Sequence, residues 1–196
     1  MEIVVQVVKV FHVFGFIMMS VPLFNLIVVN ERASMGASFN YATDRYMENI
    51  IRHGALRCYV FQLTVLISGV LLLAFGPLGI HALWDNWVIV SKTIILFVLT
   101  GLLSFVHFRL QPEIEARMAS VGPNSAIPEG FAASLKPYRV RRKQLATACL
   151  FLVLTSILLG LQVYGSFNPF VTMALVCLAA VFSIRVNKTL ILFGWA

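Results

Sequence analysis

The chain has 196 residues, 60% hydrophobic and 12% charged, with a mean hydropathy of +0.90. That balance excludes a soluble globular domain and defines an integral membrane protein, whose partner is the lipid bilayer. The formal net charge of +7 comes from basic residues flanking apolar runs, where anionic headgroups attract them, so it is not a nucleic-acid signature.

The size suits one transmembrane helical domain over 1–196, with no second soluble domain. Cys58, Cys149 and Cys177 stand apart within or beside apolar runs, with no CxxC pair, and read as small packing residues. The fold class expected is an all-α bundle of five transmembrane helices, four forming a core and one added.

The first span covers 3–29, long enough at about 1.5 Å per residue to cross a hydrocarbon core about 30 Å thick. Within it Lys9 and His12 lie three residues apart and share a helical face. Ionisable groups inside a span are costly and point to a functional site. The plainer alternative has Lys9 snorkelling to the interface and His12 bonded to a neighbouring helix. No basic segment precedes this span and no A-x-A site follows it, so a retained helix is expected rather than a cleaved signal. Pro22 is expected to kink it, and Asn30-Glu31-Arg32 marks the exit to water.

Loop one reads as polar chain until a helix start at Thr43-Asp44, which continues unbroken into span two at 55–75. Cys58, Gln62, Val65 and Gly69 form a small or polar stripe suited to facing the bundle. Gly76-Pro77-Leu78-Gly79 stops the span. Loop two is short, holds His81, Trp84, Asp85 and Trp87, and has no Lys or Arg; its tryptophans read as an interfacial belt.

Span three covers 87–108, with Lys92 near its start and His107 near its end. Thr93, Phe97, Thr100, Ser104 and His107 recur at helical spacing and read as its inward stripe. The segment 109–143 reads as a long cytoplasmic loop with four prolines and seven Lys or Arg, ending in Arg139-Val140-Arg141-Arg142-Lys143. That basic run reads as a topology anchor in contact with lipid. Span four covers 145–164, with Cys149, Ser156 and Gly160 as a small-residue seam, and span five covers 170–184. The tail to Ala196, with Trp195, is expected in the interface.

With five spans all basic regions share one side. The positive-inside rule then places the N-terminus outside and the C-terminus in the cytoplasm of a cell inner membrane. His53 and His107 fall at the cytoplasmic ends of spans two and three. A pair of imidazoles on adjacent helices at matched depth is the geometry of a bis-histidine haem clamp; interfacial histidines wetted by headgroups are the simpler alternative. Lys9, His12 and Lys92 lie towards the opposite side and form a cationic set suited to an anionic group such as a porphyrin propionate, a quinone oxygen or a lipid phosphate. No HxxxH, HExxH or CxxC motif supports another metal.

Lys9-x-x-His12 in a first span, followed by an aromatic and apolar run, resembles the opening of the HemJ-type protoporphyrinogen oxidases and of the related CopD-like membrane domains. Trp87-x4-Lys92, running into a helix that ends at His107, is similar to the tryptophan–lysine span of that group. The resemblance covers the first 115 residues or so. It implies a four-helix core binding haem b through the first-span histidine, here His12, as ligand to the iron. The chain departs from the pattern in its Trp–Lys spacing, its longer third loop and its additional fifth span, which bear on the oxidase activity more than on the porphyrin site.

Three functions compete on this reading. One is a haem b protein of electron transfer or oxidoreduction, with His12 as ligand and Lys9, Lys92, His107 and His53 as further cofactor-binding candidates. Another is a non-catalytic accessory subunit of a larger membrane complex or homo-oligomer. The third is a CopD-like copper or small-solute protein, to which Met18, Met19 and Met173 lend support. Histidine ligates a magnesium porphyrin as readily as haem, and the sequence names no substrate or redox partner.

Overall fold

The computed structural model describes residues 2–34, 39–122, 127–163, 165 and 167–188. Their order is α1 (Glu2–Ser34), α2 (Tyr41–Phe75), α3 (Ala82–Asp85) and α4 (Trp87–Phe105). A π-helical stretch (Val106–Leu110) follows, then α5 (Gln111–Ala119), α6 (Phe131–Gln162) and α7 (Pro169–Lys188). Five helical segments are long and apolar enough to cross a membrane: Glu2–Asn30, Tyr41–Phe75, Trp87–Ala119, Phe131–Gln162 and Pro169–Lys188. The protein is a multi-pass, all-α membrane bundle.

Asparagines start three of these helices. Asn40 Oδ1 accepts the Thr43 N–H at 3.0 Å, and the Asp44 carboxylate accepts the Asn40 N–H at 2.9 Å, a reciprocal cap that fixes the first turn of α2. Asn86 Oδ1 accepts from Val88 at 3.0 Å to open α4. Asn168 accepts from Phe170 ahead of α7, where Pro169 occupies a first-turn position that needs no N–H.

Paired contacts set the helix directions. His12 meets Ser68 while Asn30, eighteen residues later on α1, meets the α6 residue that also holds Glu48 near the start of α2, so α1 and α2 run antiparallel. Thr100 donates to Gln62 at 3.1 Å and Tyr59 bonds Ser104 at 2.9 Å, which sets α4 antiparallel to α2. Gln162 donates to Thr172 at 2.8 Å across the turn joining α6 to α7. α1 packs chiefly on α2 and α6, α4 chiefly on α6, and the seam between α1 and α4 is lightly packed. α7 packs on α6 and reaches α1 through the Phe182–Phe24 ring pair. One end of the bundle carries the basic residues; the other carries exposed Trp84 and Trp87 and is called the tryptophan end below.

The core runs along Phe16, Met19, Leu23 and Ile27 of α1, at helical spacing, against residues of α2, α4 and α6. α1 and α2 approach closely because Gly15 has no side chain; a Cβ there would sit 2.8 Å from Val65 Cγ2. α1 continues as helix through Pro22, which lies over Gly54. A smaller apolar cluster of Phe39, Ile114, Met118, Val121 and Leu135 closes the basic end.

Two expectations change. The segment 109–143 is mostly helix: the span-three helix continues to Ala119, and α6 begins at Phe131, leaving residues 120–130 as the connection. Pro112 costs nothing in the first turn of α5, and Pro137 is accommodated within α6. The stripe on α4 also divides. Thr100 and Ser104 face α2, but Phe97 is 65% exposed. Lipid accepts an aromatic ring as readily as a core does, so an apolar residue carries little information about which way it faces. The tail with Trp195 and the Arg32 side chain lie outside the described residues.

Candidate functional site

Towards the tryptophan end, four helices contribute to one polar cluster. His12 of α1 lies with its Nδ1 2.9 Å from Ser68 Oγ of α2. Ser68 Oγ also lies 2.5 Å from the Thr64 carbonyl, to which it donates its only proton. The hydroxyl can then only accept from the imidazole. This assigns the ring proton to Nδ1 and leaves Nε2 with its lone pair. The ring packs edge-on against Phe16 at 5.3 Å and lies over Gly69, where a Cβ would stand 3.3 Å from Cε1.

Lys92 of α4 joins the cluster over the Phe16 ring, with Nζ 5.2 Å from the ring centroid. Room for its ammonium comes from Gly160 of α6, where a Cβ would approach Nζ to 3.1 Å. One turn earlier on α6, Ser156 is 1% exposed, and its Oγ has no hydrogen-bond partner. Lys9 is half-buried one turn before His12 on α1. Thus His12 and Lys92, 80 positions apart in sequence, share an aromatic neighbour.

The other two histidine candidates sit nearer the basic end and point in different directions. His53 is exposed, and its Nδ1 donates to the Asn49 carbonyl one turn back at 2.7 Å. His107 belongs to the π-helical stretch and turns inward, its ring 5.9 Å from that of Tyr59 and 4.9 Å from that of Phe108. His107 Nδ1 is buried without a partner. Single π turns within α-helices recur at functional sites.

At the basic end lies an ionic network that departs from the reading of the basic run as a lipid-facing anchor. Arg142 of α6 is fully buried. Its Nη1 donates to Glu48 Oε2 and Gln111 Oε1, both at 2.6 Å, and its Nη2 to Asn30 Oδ1 at 2.8 Å and Glu48 Oε1 at 3.0 Å. Nε completes the set with Asn30 Oδ1 at 3.2 Å, so all five guanidinium donors are used. Arg139, one turn earlier, donates to Asp44 Oδ1 at 2.7 Å and to Glu48 Oε1 at 3.1 Å. Four segments are tied together by this network: α1 through Asn30, α2 through Asp44 and Glu48, α5 through Gln111, and α6 through both arginines. Arg141, between them, is exposed and lies 5.3 Å from the Phe105 ring centroid. The sequence signal was the spacing: Asp44 and Glu48 stand four apart and Arg139 and Arg142 three apart, each pair on one helical face.

Two cavities of about 30 Å³ each lie within the bundle; neither is lined by His12 or Lys92. Among the described residues, no three His, Cys, Asp or Glu side chains cluster as metal ligands. No family model, curated protein or solved structure matches the chain.

Proposed function

We propose that the protein binds a b-type haem through His12 and acts in electron transfer or oxidoreduction. The observation that carries this reading is the Thr64–Ser68–His12 relay, which fixes the imidazole as Nδ1–H and presents the Nε2 lone pair. Ligating histidines are oriented in this way, with the far ring nitrogen donating to a fixed acceptor. The donor set therefore fits haem iron. Lys92, and Lys9 one turn before His12, would hold the propionates, because a carboxylate in low dielectric is stable only when paired. The lightly packed α1–α4 seam is where a flat ligand meets both His12 and Lys92, since the two 30 Å³ cavities are far too small for a macrocycle. When bound, the haem would supply one-electron chemistry. The chain's own part is to hold the imidazole in one tautomer, to supply cationic partners and to keep water out.

In this reading the basic end faces the cytoplasm of an inner membrane, as the positive-inside rule requires, and His12 lies in the outer half. The test is the absorption spectrum of protein expressed with ample haem and purified in detergent. His12→Ala should abolish or shift the Soret band, while His107→Ala should leave it in place. A Soret band unchanged in His12→Ala would overturn the assignment.

A further inference from the structure

The second internal cavity is lined from three helices by Met19 of α1, Cys58 of α2 and Cys149 of α6. All three are deeply buried, at 0%, 3% and 6% exposure, and both cysteines are free thiols. The three side chains belong to one packed core cluster and line the same void. Gln62 is the polar neighbour on the cavity wall, which carries no carboxylate and no cation. The first cavity adjoins it, sharing Leu23, Leu26, Cys58, Leu103 and Val106, and extends towards the basic end, where Arg52, His107 and Gln111 line it. There the unpartnered His107 Nδ1 offers a nitrogen lone pair or N–H along the approach.

Two thiols and a thioether around an apolar void form a soft donor set, and the amide oxygen on the wall, Gln62 Oε1, already accepts from Thr100. Such a set discriminates against Mg²⁺, Ca²⁺ and Mn²⁺, which require hard oxygen ligands, and selects a soft d¹⁰ cation, above all Cu(I). The void of about 30 Å³ has room for a single ion. Ligand number favours the same ion: two thiols and a thioether are one donor short of the four that Zn²⁺ takes, and exchanging one thiol proton for one Cu⁺ leaves the site electrically neutral.

We propose that Cys58, Cys149 and Met19 form a buried binding site for a single Cu(I) ion, reached from the basic end past His107. The ion is bound without change of oxidation state, and the displaced proton passes to solvent. This site is separate from the His12 cluster and does not depend on the haem reading.

The test is anaerobic titration of Cu(I) into the purified full chain in detergent, in competition with a chromophoric Cu(I) chelator. Wild type should hold one equivalent. Cys58→Ser and Cys149→Ser should each weaken retention at least tenfold, with a smaller loss for Met19→Leu. Exposed Cys177→Ser and the haem-site variant His12→Ala should hold copper as wild type does. X-ray absorption of copper-loaded wild type needs no variant to fold, and should show a shell made of sulfur. Failure of wild type to retain Cu(I) against the chelator, undiminished retention in the two cysteine variants, or a shell of nitrogen and oxygen would each overturn the proposal.

Discussion

A hydroxyl has one proton to give, and Ser68 gives it to the Thr64 carbonyl of its own helix. His12 is thereby held by an acceptor with no proton left to offer, which is why the tautomer follows from the geometry. Ser68→Ala removes that acceptor while leaving the helix intact. Outer partners of ligating histidines typically contribute about 10- to 100-fold to affinity. Ser68→Ala should therefore reduce haem retention by about tenfold, measured by haem transfer to an apo-globin acceptor, with unchanged thermal unfolding of the haem-free protein. Equal retention in variant and wild type would mean that the hydroxyl does not orient the ring.

Arg142 presents the opposite case, a charge whose role is to be matched. Removing one member of a buried ion pair costs about 3–5 kcal/mol, because the partner is left charged and dry. Arg142→Met should strip Glu48 of two hydrogen bonds and lower the unfolding temperature in detergent markedly. Combining it with Glu48→Gln should recover part of the loss, since the carboxylate left with Arg139 but without Arg142 is then neutral. Arg141→Gln, at an exposed position, should change stability little. Equal losses for Arg141→Gln and Arg142→Met would contradict the division of the basic run into buried and lipid-facing members.

At the scale of elements, the apolar spans were legible because hydrocarbon thickness sets their length, and the five expected spans correspond to the five apolar helical segments. The unbroken helix from loop one into span two was legible as well, from its start at Thr43-Asp44 with the acid in the first turn. The helical character of 109–143 was hidden by its prolines, one of which occupies a harmless first turn and another of which is carried within α6. The ionic network was hidden for a different reason. A basic cluster beside a span satisfies the positive-inside pattern whether its members face lipid or partners, and only the fold brings Glu48 and Asn30 to Arg142. The same limit applied to the three soft donors, which lie on three helices and share no sequence motif. The His12–Lys92 association was legible as depth on the same side of the membrane; the shared contact with Phe16 was not.

For the whole molecule, two features near opposite ends divide the work. The ionic network clamps α1, α2, α5 and α6 at the basic end, while α1 and α4 meet lightly near His12 and Lys92. On the proposed reading, a flat ligand would enter the α1–α4 seam while the ionic network keeps the helices in register at the other end. The proposed orientation, with the basic end inside, can be read from single cysteines in a variant lacking the three native ones. A cysteine at Glu129, in the 127–130 segment, should resist a membrane-impermeant thiol reagent in intact cells, and one at Asp85, beside the tryptophans, should react. The reverse pattern would invert the topology and place His12 in the inner half.

Haem in the His12 cluster is tested most directly by the absorption spectrum of the wild-type protein. The protein would be produced with ample haem, extracted gently and examined oxidised and dithionite-reduced. The expected result is a Soret band that co-purifies with the chain at one haem per molecule and sharpens on reduction into the pattern of b-type haem. Colourless protein that is correctly folded and inserted would contradict it, and would leave the bundle as an accessory subunit of a larger membrane complex.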